Sequence, residues 1–222
     1  MQVFCDFDGT ITTQDTTDVV LRELALPDWE ALEEAWVAGR ITAAECMRRQ
    51  VALIQGDDVA LEAVLERIEL RAGFEDFVHW CEFQGLPLVV VSDGVDHLIA
   101  HVLRRHGLDR LPVVANRLVG VAGARRLENP WGVSACAGGS GVCKCLIARA
   151  QERGLMVYVG DGRSDFCVAE EAGLLFARST LAAHCRQRGL EFVPYETFTD
   201  VQQCLQSLHE HPELVALSAA AD

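Results

Sequence analysis

The stretch Val3-Phe4-Cys5-Asp6-Phe7-Asp8-Gly9-Thr10-Ile11-Thr12 begins apolar and runs into two aspartates one residue apart, followed by Gly-Thr. Its apolar part reads as a buried strand. Side chains alternate along an extended chain, so Asp6 and Asp8 start on one side, and Gly9 is where the strand has to break. Both carboxylates then lie at the strand's carboxyl end, where open α/β sheets gather their chemistry. One aspartate can attack an electrophile while the other gives or takes the proton.

Outward from that strand, further apolar runs at Leu86 to Val91, Val113 to Val119, Leu155 to Val159 and Leu174 to Ala177 alternate with helical patterns. The helices expected are Asp96 to His106, Cys143 to Arg153 and Phe166 to Ala172, each followed by a glycine suited to a left-handed cap. The alternation predicts an α/β protein built on a doubly wound parallel sheet. The interval 15–72 differs, because it holds no convincing strand. Pro27 opens a helix that Gly39 closes, Thr42 and Glu45 form a capping box, and Asp57-Asp58 precede a third helix over Val59 to Arg71. The expected organisation is a core of residues 1–14 and 73–222, interrupted by a small all-helical cap over 15–72. No proline-rich or serine-rich linker flanks the insert, so it should sit on the core as a lid.

The chain has 222 residues, half of them apolar, with 19 basic against 33 acidic side chains and a formal charge of −14. That charge is a poor footprint for nucleic acid or an anionic membrane, and neither is expected as a partner. No apolar run reaches the roughly 18 residues of a membrane span, and Met1 leads directly into the strand without a basic segment. Nine cysteines, an odd number, read as reduced thiols, and the expected compartment is the cytoplasm. Cys136, Cys143 and Cys145 lack the paired Cys-x-x-Cys spacing of a zinc or redox site and read as small apolar residues. The expected assembly is a monomer or homodimer.

Three more segments carry chemistry. Val89-Val-Val-Ser92-Asp93-Gly94 is a strand ending in a hydroxyl, followed by two backbone N–H groups able to face an anion at a helix start. Lys144 follows the glycine-rich Gly138-Gly-Ser-Gly141 and supplies a compact positive charge within an acidic chain. A nucleotide-binding loop is not the reading there, since Cys145 stands where that motif requires Ser or Thr. Val157-Tyr-Val-Gly160-Asp161-Gly162-Arg163-Ser164-Asp165 ends a strand in Gly-Asp, with a second aspartate four residues on. Hard oxygen ligands so gathered suit Mg²⁺.

In this order, Asp6-Phe-Asp8-Gly-Thr, Ser92, Lys144 and Gly160-Asp161-Gly-Arg-Ser-Asp165 resemble the four motifs of the haloacid dehalogenase superfamily of Mg²⁺-dependent phosphatases. The helical insert after the first motif resembles the subgroup that includes phosphoserine phosphatases. The resemblance implies Asp6 as the nucleophile that forms an aspartyl-phosphate and Asp8 as the acid/base. It implies Mg²⁺ held by Asp6, Asp161 and the Asp8 main-chain carbonyl, with Asp165 orienting metal waters or Lys144. Ser92, the Asp93 and Gly94 amides and Lys144 would bind phosphoryl oxygens. Physically, such a transfer needs an in-line nucleophile and cations above all, and an Asp8 whose pKa is raised.

Pro27-Asp-Trp-Glu, Gly73-Phe-Glu-Asp-Phe-Val and Val91-Ser-Asp-Gly-Val-Asp resemble the methionine-salvage phosphatases acting on 2-hydroxy-3-keto-5-methylthiopentenyl 1-phosphate. Gly160 to Cys167 is also similar to phosphocholine and phosphoethanolamine phosphatases, and phosphoserine is a further alternative substrate. Asp15, where phosphoserine phosphatases carry glutamate, is a candidate substrate contact together with Arg48 and Arg49. A reading of a different class is a non-catalytic protein that binds a small phosphorylated metabolite on the same scaffold.

Overall fold

A computed structural model describes residues 1–133, 138–150 and 154–210. Cys136, the end of the helix expected over Cys143 to Arg153, and the chain's Ala-rich end lie outside them. Seven strands form one sheet in the order β4-β3-β2-β1-β5-β6-β7. They are β1 (Gln2–Cys5), β2 (Leu88–Val95), β3 (Val113–Val119), β4 (Arg126–Glu128), β5 (Met156–Gly160), β6 (Leu174–Ala177) and β7 (Val193–Pro194). All neighbours are parallel except β3 and β4, whose antiparallel pairing sets Leu118 opposite Leu127 at one edge.

Apolar cores cover both faces of the sheet. Along β1, Val3 and Cys5 enter one core while Phe4 enters the other, and in β5 Val157 and Val159 oppose Met156 and Tyr158 in the same way. This period of two, with apolar residues at every step, is what burial on both faces demands. After β1 come α1 (Thr16–Leu24), α2 (Trp29–Val37), α3 (Ala43–Val51) and α4 (Asp58–Leu65), then α5 (Phe74–Phe83). The later helices are α6 (Asp96–Arg105), α7 (Lys144–Arg149), α8 (Phe166–Ala169), α9 (Ser179–Arg188) and α10 (Phe198–Glu210).

Side-chain caps start α1, α3 and α4. Asp15 accepts from the Asp18 N–H at 2.9 Å, Thr42 from the Glu45 N–H at 3.2 Å, and Asp57 from the Ala60 N–H at 2.8 Å. Only half of the expected capping box forms, because the Glu45 carboxylate turns to Arg49 instead. The helix expected over Val59 to Arg71 is shorter than its pattern suggests: α4 ends at Leu65. Past it, the Leu65 carbonyl accepts from both the Ile68 N–H and the Arg105 guanidinium, and the Ile68 carbonyl accepts from Arg105 as well. Likewise α8 spans four residues rather than the seven expected.

Two arginines fasten the insert to the sheet. Buried Arg125 donates to the Gly56 carbonyl and, at 2.6 Å, to Asp58. Arg71, where the chain returns from the insert, donates through Nε to the Thr10 carbonyl at 2.8 Å and also reaches the Gly9 and Thr12 carbonyls. Entry and exit are thereby clasped around the turn that follows β1.

An aromatic cluster closes the far side of the larger core. Phe198 on α10 lies 4.8 Å from Phe74 and 5.3 Å from Phe77 of α5, ring to ring, and is fully buried. Phe198→Ala should cost about 3–5 kcal/mol of unfolding free energy. Urea denaturation followed by circular dichroism measures it, and a loss below about 1 kcal/mol would mean that the site collapses around the deletion.

Candidate active site

Beyond Cys5 the chain leaves the sheet in one tight turn, Phe7–Ile11. Gly9 makes that turn possible. Its φ is +76°, and a β-carbon there would stand 2.6 Å from Asp161 Oδ2. The turn brings the end of β1 against the end of β5. Thr10 Oγ1 donates to Asp161 Oδ1 at 2.9 Å, and ligand oxygens of Asp6, Asp161 and Asp165 all fall within 4.8 Å of one another.

Lys144, at the start of α7, enters this acidic group from behind. It is 1 % exposed, and its Nζ lies 2.8 Å from Asp6 Oδ1, 2.6 Å from Asp165 Oδ1 and 3.0 Å from Ser164 Oγ. Burial alone opposes its charge, but Asp165 and then Asp6 outweigh burial and hold its pKa above the ordinary value. Burial raises the Asp6 pKa, the neighbouring Asp165 raises it further, and Lys144 pulls the other way. Asp161 is raised by burial and by Asp165, against the hydrogen bond from Thr10.

Asp165 is wholly occupied. Oδ1 accepts from Lys144 and from the Tyr158 hydroxyl at 2.6 Å, and Oδ2 accepts from the Asp161 and Gly162 N–H groups at 3.0 Å each. It therefore shapes the loop and aims the lysine. Asp6 and Asp161 keep oxygen lone pairs for another partner.

Asp8 faces the sheet's other neighbour. Its Oδ1 accepts from the Thr16 N–H at 2.7 Å, and Gly94 lies so close to Oδ2 that any β-carbon would collide with it. Burial raises the Asp8 pKa and the bonds from Thr16 lower it, with a net upward shift. Ser92 Oγ accepts from the Gly94 N–H at 2.9 Å, which leaves the serine's own proton to donate elsewhere. The Asp93 carboxylate accepts from the Val142 N–H at 3.0 Å and from Asn116 Nδ2 at 3.3 Å, so it braces the segment that delivers Lys144. Burial raises its pKa as well.

These groups floor a cavity of about 210 Å³ lined by Asp6, Asp8, Ser92, Asp93 and Gly94 below. Above, the insert contributes Asp15, Asp18, Glu33, Trp36, Met47 and Gln50. Asp15 thus reaches the cavity, as an exposed residue at its edge. Arg48 and Arg49 do not line it: Arg48 donates to Asn129 at 3.2 Å and Arg49 to Glu45 at 3.4 Å, one helical turn away. Cys143 and Cys145 stand with sulfurs 3.3 Å apart beside Lys144. Tyr158, Asn116 and Arg71 were not foreseen from sequence, since a tyrosine inside an apolar run reads as core and the other two lie outside every motif.

The haloacid dehalogenase-like hydrolase family matches residues 3–170. The chain belongs to that family. Among named relatives, the 2-hydroxy-3-keto-5-methylthiopentenyl-1-phosphate phosphatase of Geobacillus thermodenitrificans (strain NG80-2) is 33 % identical over 93 % of this chain and 96 % of its own. That of Geobacillus kaustophilus (strain HTA426) is 32 % identical with the same coverage. A solved phospho-aspartyl intermediate analogue of phosphoserine phosphatase shares the fold, with a TM-score of 0.65 and 21 % identity over 91 % of this chain and 97 % of that one. Among the described residues, no helix is long and apolar enough to cross a membrane.

Replacing Lys144 by Met would leave buried carboxylates without their cation and should destabilise the protein by about 3–5 kcal/mol. The check is urea unfolding at neutral pH without added metal. A change under about 1 kcal/mol would contradict the pairing described here.

Proposed function

We propose that this protein is a Mg²⁺-dependent phosphomonoesterase whose substrate is 2-hydroxy-3-keto-5-methylthiopentenyl 1-phosphate or a close keto-phosphate. The observation that carries the reading is the convergence of Asp6 with Asp161 and Lys144 beside a cavity that Asp6 and Asp8 both line. The named relatives support the substrate, and the fold's phosphatase neighbours fit the reaction class.

Asp6 and Asp161, with the Asp8 main-chain carbonyl, would hold the metal. Their hard oxygens, crowded around one lysine and raised in pKa, are a donor set that favours a divalent cation. When bound, Mg²⁺ supplies positive charge that offsets repulsion between Asp6 and the incoming dianion. The Phe7 N–H and Lys144 both bond Asp6 Oδ1, so Oδ2 is the oxygen that attacks phosphorus. The P–O ester bond breaks, and Asp8, whose carboxyl burial shifts upward in pKa, hands a proton to the departing oxygen. Asp8 then takes a proton from water, the water oxygen bonds to phosphorus, and the aspartyl bond breaks to release phosphate. Ser92 donates to a phosphoryl oxygen throughout, while Lys144, held by Asp6, Asp165 and Ser164, supplies positive charge from beneath the site.

Residues 15–72 act as the cap in this proposal, with α2 and α3 roofing the cavity. The Trp36 and Met47 side chains offer an apolar wall for a methylthio tail.

Asp6→Asn should reduce turnover of para-nitrophenyl phosphate with Mg²⁺ by at least about a thousandfold. Asp8→Asn should lose about 10²–10⁴-fold on alkyl phosphates and less on the nitrophenyl ester, whose leaving group barely needs an acid. Bound phosphate without turnover in the wild type would instead favour the non-catalytic reading. A separate readout is thermal: Mg²⁺ at a hundredfold excess over its Kd should raise Tm by roughly 5–10 °C. Asp161→Asn should abolish that rise, and a rise of equal size in the variant would place the ion elsewhere.

A further inference from the structure

The cavity poses a problem of selectivity. Its roof carries three carboxylates, Asp15, Asp18 and Glu33, on a protein of formal charge −14. Such a wall suits an ammonium group on the leaving half of the ester, whereas a keto-phosphate has none. Glu33 is held in place by Gln50, whose Nε2 donates to it at 3.0 Å.

One positive group opposes that wall. Among the described residues lining the cavity, Arg163 is the only basic side chain. It sits on the short turn Arg163–Asp165, which is fixed by the Asp161 and Gly162 N–H groups bonding to Asp165. Its guanidinium lies 5.7 Å from the centre of the Trp36 ring on α2, across the cavity from the carboxylate floor to the helical roof. Among the described residues no carboxylate stands within ion-pair distance of it. Lys144 cannot serve in its place, because it is buried and committed to Asp6 and Asp165.

We propose that Arg163 is the residue that sets leaving-group selectivity: placed over the Trp36 ring, it repels ammonium-bearing esters and donates to the carbonyl oxygen of a keto-phosphate. The inference deepens the phosphomonoesterase reading and rests on it. A guanidinium suits the task because its charge is permanent and its planar fork presents several N–H donors to one acceptor. Rejection matters as much as attraction here, since discrimination is a difference between two affinities. With the arginine removed, the roof's carboxylates would face the leaving group unopposed.

The test compares kcat/KM for dihydroxyacetone phosphate with that for phosphoethanolamine, in the wild type, Arg163→Gln and Arg163→Lys, all with Mg²⁺. The ratio of keto-ester to ammonium-ester activity should fall by about tenfold or more in Arg163→Gln and stay within about threefold of wild type in Arg163→Lys, which keeps the charge. A ratio unchanged in Arg163→Gln, or one that falls equally in both variants, overturns the inference while leaving the phosphatase reading intact. Failure of the wild type to hydrolyse these esters and para-nitrophenyl phosphate overturns both.

Discussion

One buried ammonium group organises this molecule's working end. Lys144 lies at the meeting point of Asp6 and Asp165, where at least three carboxylates share a space that water barely enters. Carboxylates so placed repel one another and resist ionisation, as the raised pKa values of Asp6 and Asp161 record. A lone lysine cannot neutralise all of them. The residual negative charge is what suits the floor of the cavity to a divalent cation, and a cation is in turn what lets an acidic protein accept a phosphate ester.

The fold delivers this arrangement by geometry rather than by flexible fitting. β1 and β5 are parallel neighbours in register, with Cys5 opposite Val159, so the residues just beyond them meet at one edge. Gly9 allows the turn after β1 to press against Asp161, and Arg71 locks that turn through three carbonyls. The loop after β5 is held by Asp165, whose four hydrogen bonds tie together a lysine, a tyrosine and two backbone N–H groups. Preorganisation of this kind reduces the rearrangement that must accompany the reaction itself.

Much of this was legible in the sequence, for definable reasons. Strands β1, β3, β5 and β6 appear as apolar runs because both faces are buried, and a run of that kind has few other uses. β4 and β7 escaped notice. Arg126-Leu127-Glu128 has a single apolar residue and exists as a strand through its pairing with β3, and β7 is two residues long and ends in proline. The acidic pairs, Ser92 and Lys144 stood out by their order along the chain. Tyr158 did not, because only the folded loop reveals that its hydroxyl meets Asp165. Arg48 and Arg49 read as substrate contacts until the rotation of α3 is known, and that rotation turns them to Asn129 and Glu45. The Asp93 carboxylate is spent on the segment leading to Lys144, a contact that only the folded chain reveals.

The most direct measurement is a single-turnover experiment with a ³²P-labelled ester and Mg²⁺, quenched in acid, with the labelled peptide then identified. The account predicts a transient label on Asp6 that forms at least as fast as phosphate is released and disappears as water completes the cycle. Phosphate release with no label on the protein at any time, or label on another residue while the Asp6→Asn protein still turns over, would contradict it.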